Sequence, residues 1–303
     1  MAVPLLWVPV TIGAATAQVF RNGAQASLTG KIGTLGATQV RFVFGFPFAL
    51  LFLALALAIG GTGLPPVGGT ALAWCALGAV AQIGATALML VVMKARAFGV
   101  AYAYIKTEPV IVALLGVALI GDVLSPLSWL AIGVVTAGVV LSSIRPGEAR
   151  LLLSEGRLIG AGMLGGGLFG LSAIAFRAAI EAVPEGGAVL RSLTMLALSL
   201  AIQSVLLGLW LALRDREAFV GSLREWRASL GAGFLGALAS SGWFIAFSLT
   251  PAANVRTLAL IEMPLAALVS RRFSGGKALG RNEWLGLALV LAGLALLLAA
   301  HAA

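Results

Sequence analysis

The chain has 303 residues, of which 60% are hydrophobic and only 10% charged, with a net charge of +9 and a mean hydropathy of +1.06. Soluble domains run at roughly 45–50% apolar and 25% charged residues, so this composition excludes a soluble globular protein and leaves an all-α polytopic membrane protein. The one cysteine, Cys75, lies in an apolar run and excludes disulfide frameworks and Cys-rich metal sites.

Apolar runs long enough to cross about 30 Å of hydrocarbon as helices fall near 4–26, 34–59, 70–93, 98–120, 126–144, 158–182, 188–213, 229–249, 255–273 and 283–300. The first is not expected to be a removable signal, because Met1-Ala2-Val3-Pro4 lacks a positive flank and the run is too long. The sixth carries Gly160, Gly162, Gly165, Gly166, Gly167 and Gly170, and the eighth opens with Gly231, Gly233 and Gly236. Small residues at three- and four-residue spacing let helix backbones approach in lipid, so these series predict packing faces. No phosphate-binding loop, dinucleotide fingerprint or metal-spaced histidine occurs, and His301 stands two residues from the last. No cofactor, metal or enzymatic chemistry is expected.

The chain also repeats itself. Shifted by 155 positions without a gap, Ala97 falls on Ala252, Val100 on Val255, Pro109 on Pro264, Trp129 on Trp284 and Gly138 on Gly293; Phe20-Arg21 similarly answers Phe176-Arg177, and Arg41 answers Arg191. Each copy holds five apolar runs. Five is odd, so the second copy must cross the membrane in the opposite sense, which predicts ten transmembrane helices as two inverted five-helix repeats, residues 1–150 and 151–303. Transporters built this way bind substrate between the repeats near the bilayer midplane.

Val40-Arg41-Phe42 with Pro47, Glu108-Pro109 leading to Gly121-Asp122, and Glu262-Met263-Pro264, in this order and within the doubling, resemble the drug/metabolite transporter superfamily in its EamA-like branch. The resemblance covers nearly the whole chain. It implies an integral membrane carrier of small metabolites, often an exporter, with a central cavity lined by the first, third, fourth, sixth, eighth and ninth spans. It also implies Gly-Glu after the fourth and ninth spans; here the first is Gly121-Asp122, and the ninth ends Arg271-Arg272-Phe273 without the acid.

Ionisable groups inside spans are costly unless they face water or a partner, which singles out Lys106 and Glu108 in the fourth span and Glu262 in the ninth. Residues 106 and 108 are about 200° apart around a helix and do not share a face. Both acids are candidates for handling substrate or a coupling proton; the alternative is a structural role, each neutralised by a base on a neighbouring span. Pro109 and Pro264 remove a backbone donor beside each acid and free carbonyls near residues 105 and 260, as a hinge or a packing kink would. Arg21, Arg41, Arg177 and Arg191 fall near span ends, where they either snorkel to the interface or reach inward. Gln18, Asn22, Gln82, Thr86, Tyr102, Tyr104, Ser240, Ser241, Trp243 and Asn254 complete the candidate cavity groups, and suit a small polar solute such as an amino acid.

The side facing the odd-numbered loops holds sixteen of the twenty Lys and Arg residues; the other holds Arg177, Arg191 and Arg256, with Lys106 buried. The positive-inside rule puts the first side in the cytoplasm and both termini outside, whereas the resemblance implies termini inside. The expected protein is a monomeric or weakly dimeric secondary transporter of the bacterial inner membrane, exporting a small polar metabolite by alternating access, with proton coupling open. The alternatives are a lipid or lipid-linked-sugar translocator and a non-transporting scaffold.

Overall fold

A computed structural model describes residues 5–61, 63–93, 108–143, 156–264 and 280–302, and the regular structure among them is helical throughout. The elements are α1 (Trp7–Val43), α2 (Gly45–Gly60), α3 (Gly69–Met93), α4 (Glu108–Ile120), α5 (Pro126–Ser143), α6 (Gly156–Glu181), α7 (Ala188–Arg214), α8 (Arg216–Arg224), α9 (Trp226–Leu249), α10 (Ala252–Leu258), a 3-10 turn (Ala259–Ile261) and α11 (Arg281–Ala302). Among the described residues, six helical stretches are long and apolar enough to cross a membrane, and two shorter apolar helices, Glu108–Ile120 and Pro126–Ser142, join them.

The break expected between runs 4–26 and 34–59 is smaller than the sequence implies. Helix α1 continues through it and is interrupted only at Gly33, whose backbone (φ 70, ψ 177) suits a residue without a Cβ. The chain nevertheless reverses there, for Gln25 Nε2 donates to the Ala37 carbonyl at 2.8 Å. Twelve residues of straight helix would hold these groups about 18 Å apart. Leu28, Ile32, Ala37 and Val40 close the corner as a small apolar cluster. Residues 214–227, between the apolar runs 188–213 and 229–249, are not all loop. They contain α8, capped by the Asp215 side chain, which accepts from the Ala218 amide at 3.1 Å.

Helix pairing follows the small residues. α1 packs on α9, α3 on α6, α2 on α7, and α5 on α11. Between α5 and α11 the backbones meet: a Cβ on Gly286 would lie 2.5 Å from the Ser142 amide nitrogen, one on Gly138 2.7 Å from the Gly286 carbonyl, and one on Gly293 2.9 Å from the Val135 nitrogen. Gly233 is pressed as closely onto the Phe44 carbonyl, whereas Gly160, Gly167 and Gly231 meet nothing, so only part of each glycine series is a packing face. Trp7, Phe42, Phe176 and Phe244 centre the apolar core, with the Phe176 and Phe244 rings 4.7 Å apart.

Two ends of the helix bundle are defined by contacts. At one, Lys31 beside the α1 corner pairs with Glu225 after α8 at 3.2 Å. At the other, the Gly186 turn lies against Pro65, and the Trp7 ring meets His301 of α11 at 5.0 Å between centroids. The start of α1 and the end of α11 therefore lie together.

Candidate functional site

Helix α9 ends at Leu249 and α10 begins at Ala252 after only Thr250-Pro251, so Arg256 stands more than a turn inside a helix. It does not face the membrane surface, as its place at the head of the ninth apolar run implied. Arg256 Nη2 donates to Glu108 Oε2 at 2.5 Å, joining α10 to α4 across 148 positions of sequence. Arg256 Cζ also lies 5.4 Å from the centre of the Trp243 ring, a cation–π contact, and Trp243 Nε1 donates to Gln18 Oε1 of α1 at 3.1 Å. Glu108 is 4% exposed, and its other oxygen, Oε1, has no partner among the described residues.

Arg21 and Arg41 enter the same region from the two arms of α1. Their exposures of 4% and 7% favour the inward alternative over snorkelling to the interface. Both stems pass Gly236 of α9: a Cβ there would lie 3.4 Å from Arg21 Cδ and 3.8 Å from Arg41 Cγ. Arg21 is within electrostatic reach of Glu262 and Arg256, and Arg41 within reach of Arg21 and Arg256. Arg21 Nη2 donates to Asn22 Oδ1 at 2.7 Å. Glu262, 7% exposed, follows the 3-10 turn Ala259–Ile261, where the helix tightens immediately before Pro264. Such a mid-helix 3-10 segment is a frequent mark of a hinge. The carbonyl of residue 105, expected to be freed by Pro109, lies outside the described residues, as do Lys106, Tyr102 and Tyr104.

The remaining candidates sit elsewhere. Arg177 Nε and Nη2 bind Asp122 Oδ1 at 3.2 and 3.1 Å, Nη2 pairs with Glu181 at 2.7 Å, and Nη1 donates to the Phe247 and Thr250 carbonyls at 2.6 and 2.7 Å. Its guanidinium is thus taken up in tying α6 to the loop after α4 and to the end of α9. Asp122, the acid present after the fourth span, anchors this clamp. Gln82 of α3 accepts from Gln203 Nε2 of α7 at 2.8 Å, a fully buried amide that the sequence reading passed over. Asn254 Nδ2 donates to Thr250 Oγ1 at 3.1 Å and meets His301 Nε2 at 3.0 Å. The neutral His301 tautomer protonated on Nδ1, toward the Leu297 carbonyl at 2.9 Å, satisfies both rings of contact.

The arrangement brings together three buried or half-buried guanidiniums, two carboxylates and an indole, supplied by α1, α4, α9 and the α10 segment. It can hold opposite charges of one small solute. Among the described residues no cluster of metal-ligating side chains occurs.

No curated protein sequence matches the chain. Its fold is shared with solved structures, of which 26 chains match; one crystal structure, 18% identical, aligns over 96% of this chain and 96% of its own at a TM-score of 0.67. Residues 158–299 match the model of the EamA-like transporter family. Residues 158–299 are thus similar to an EamA-like transporter domain, and this similarity together with the apolar helices supports an integral membrane protein of the drug/metabolite transporter superfamily.

Proposed function

We propose that the protein is a secondary transporter that exports a small polar metabolite, an amino acid in particular, by alternating access between two inverted five-helix halves, residues 1–150 and 151–303. The observation that carries this reading is the Glu108–Arg256 ion pair beneath Trp243, since it is buried, joins the two halves and lies beside Arg21, Arg41 and Glu262. Buried charge of both signs is expensive and gains nothing over apolar packing in stability, so its presence supports a binding role. A substrate carboxylate would meet the arginines and a substrate ammonium the acids. Lys106, outside the described residues, stays with them as a cationic candidate, while Arg177 has its donors engaged in the clamp.

The inversion is supported by the helix pairings. Under the 155-residue shift, Pro126–Ser143 maps onto residues 281–298, most of Arg281–Ala302, and these two helices pack together through the paired glycines Gly138 and Gly293. The exchange of α1 on α9 with α6 on α3 is the pattern a pseudo-two-fold axis would produce.

Glu108→Gln tests the role of the acid. The amide still accepts from Arg256, so the variant folds and inserts, but it cannot titrate. In proteoliposomes loaded with an amino acid that the wild type exports, the variant should lose transport about tenfold or more, or lose its pH dependence, between about pH 6 and 8. Undiminished transport with an unchanged pH profile would make Glu108 structural; flux of lipid instead of amino acid would favour a lipid translocator.

A further inference from the structure

We propose that Arg21 and Arg41 form an oxyanion seat beside the Glu108–Arg256 pair, filled by an acidic group of the transported solute, so that the preferred solute carries a net negative charge. This rests on the transporter reading above and narrows its substrate class. The two side chains come from opposite arms of α1 and pass the same glycine, Gly236. Each is more than nine-tenths buried. Arg21 Nε and Nη1 and Arg41 Nε have no hydrogen-bond partner among the described residues.

Like charges held together out of water need a counter-charge, since each loses its hydration without a partner to replace it. The acids among the described residues do not suffice. Glu108 is engaged by Arg256, which leaves Glu262 facing Arg21 and nothing described to balance Arg41. A buried guanidinium with an idle Nε is the donor that a planar carboxylate or a phosphate engages side-on. Ser240 and Trp243 follow Gly236 at four- and seven-residue spacing on α9, so the wall of the seat runs from the two arginines to the indole over Arg256. An amino acid bearing a second acidic group would place that group at Arg21 and Arg41 and its ammonium at the glutamates.

The experiment uses the full-length protein in detergent, with thermal stabilisation read against three probes: L-glutamate, O-phospho-L-serine and the neutral isostere L-glutamine. The wild type should be stabilised at about tenfold or more lower concentration by one of the acidic probes than by L-glutamine, because a site built to pair an anion rejects the analogue lacking it. A larger response to L-glutamate makes the acidic group a carboxylate, and a larger response to O-phospho-L-serine makes it a phosphate; both support the seat. Arg41→Met should abolish the preference, and Arg41→Lys, which keeps the charge and loses the planar fork, should weaken it. Equal response to L-glutamine and the acidic probes in the wild type overturns the seat and leaves the amino-acid transporter standing, as does an unchanged preference in Arg41→Met. No response of the wild type to any of the three overturns both. Should Arg41→Met fail to fold, the wild-type comparison and Arg41→Lys decide alone.

Discussion

Arg256 is the residue on which the site turns, and the two members of its ion pair are not equivalent. Replacing Glu108 by Gln keeps an acceptor for Arg256, which also retains its contact with Trp243. Replacing Arg256 by Met leaves the Glu108 carboxylate buried without its partner, which costs about 3–5 kcal/mol. Thermal unfolding in detergent should show Arg256→Met strongly destabilised and the Glu108→Gln, Arg256→Met double variant recovering most of the loss; an additive double variant would show that the pair does not interact. Glu108 and Glu262 stood out in the sequence as acids inside apolar runs close to a proline, and the burial of both was legible from that position. Arg256 was not, since at the head of a run an arginine reads as an interfacial charge, and only the two-residue link after α9 carries it inward. Arg21 and Arg41 were left open between the interface and the interior, because run boundaries predict a reversal between residues 26 and 34 but cannot reveal that both side chains pass Gly236 of α9. Arg177 was legible as a special position but not as a clamp, because Asp122 and the Thr250 carbonyl are remote in sequence.

At the scale of elements, the α5–α11 contact is held by absent side chains. Gly286→Ala would press a methyl group to 2.5 Å from the Ser142 nitrogen, and the shift needed to relieve it should lower stability by about 1–3 kcal/mol. Gly133, also on α5, has open space at its Cβ, so Gly133→Ala should leave the melting temperature unchanged or slightly raised. A comparison of the two melting curves checks both, and equal effects would deny the backbone contact. The Arg177 clamp makes a second prediction: Asp122→Asn keeps the shape of the acceptor and removes its charge, which should cost about 1–3 kcal/mol through a weakened charge-assisted bond, read in the same melting assay. Glycine spacing revealed that helices pack closely but not which glycines do so, since Gly160 and Gly167 share the pattern and meet nothing.

For the molecule as a whole, sidedness comes from charge. The end carrying Lys31, Arg214, Arg216, Arg224 and Arg227 is joined by the Lys31–Glu225 pair, and Trp7 and His301 meet at the start of α1 and the end of α11. The positive-inside rule assigns the basic end to the cytoplasm. Impermeant labelling of single cysteines introduced in a Cys75→Ala background should find residues 214–227 cytoplasmic and residue 301 outside; a cytoplasmic residue 301 would reverse the molecule. The proposed repeat is read from landmarks such as Trp129 and Trp284 that keep a constant offset, whereas sidedness, and with it direction, rests on charge alone. Alternating access to the charged cluster is the central claim, and Ser240, on the α9 face that carries Gly236 and Trp243, is placed to report on it. In the same cysteine-free background, Ser240→Cys should be modified by an impermeant thiol reagent from either side of the membrane, in right-side-out and in inverted vesicles, and saturating transported amino acid should protect it in both. Modification from one side alone, or none from either without protection by any solute, would contradict a transporter whose central site opens to both sides in turn.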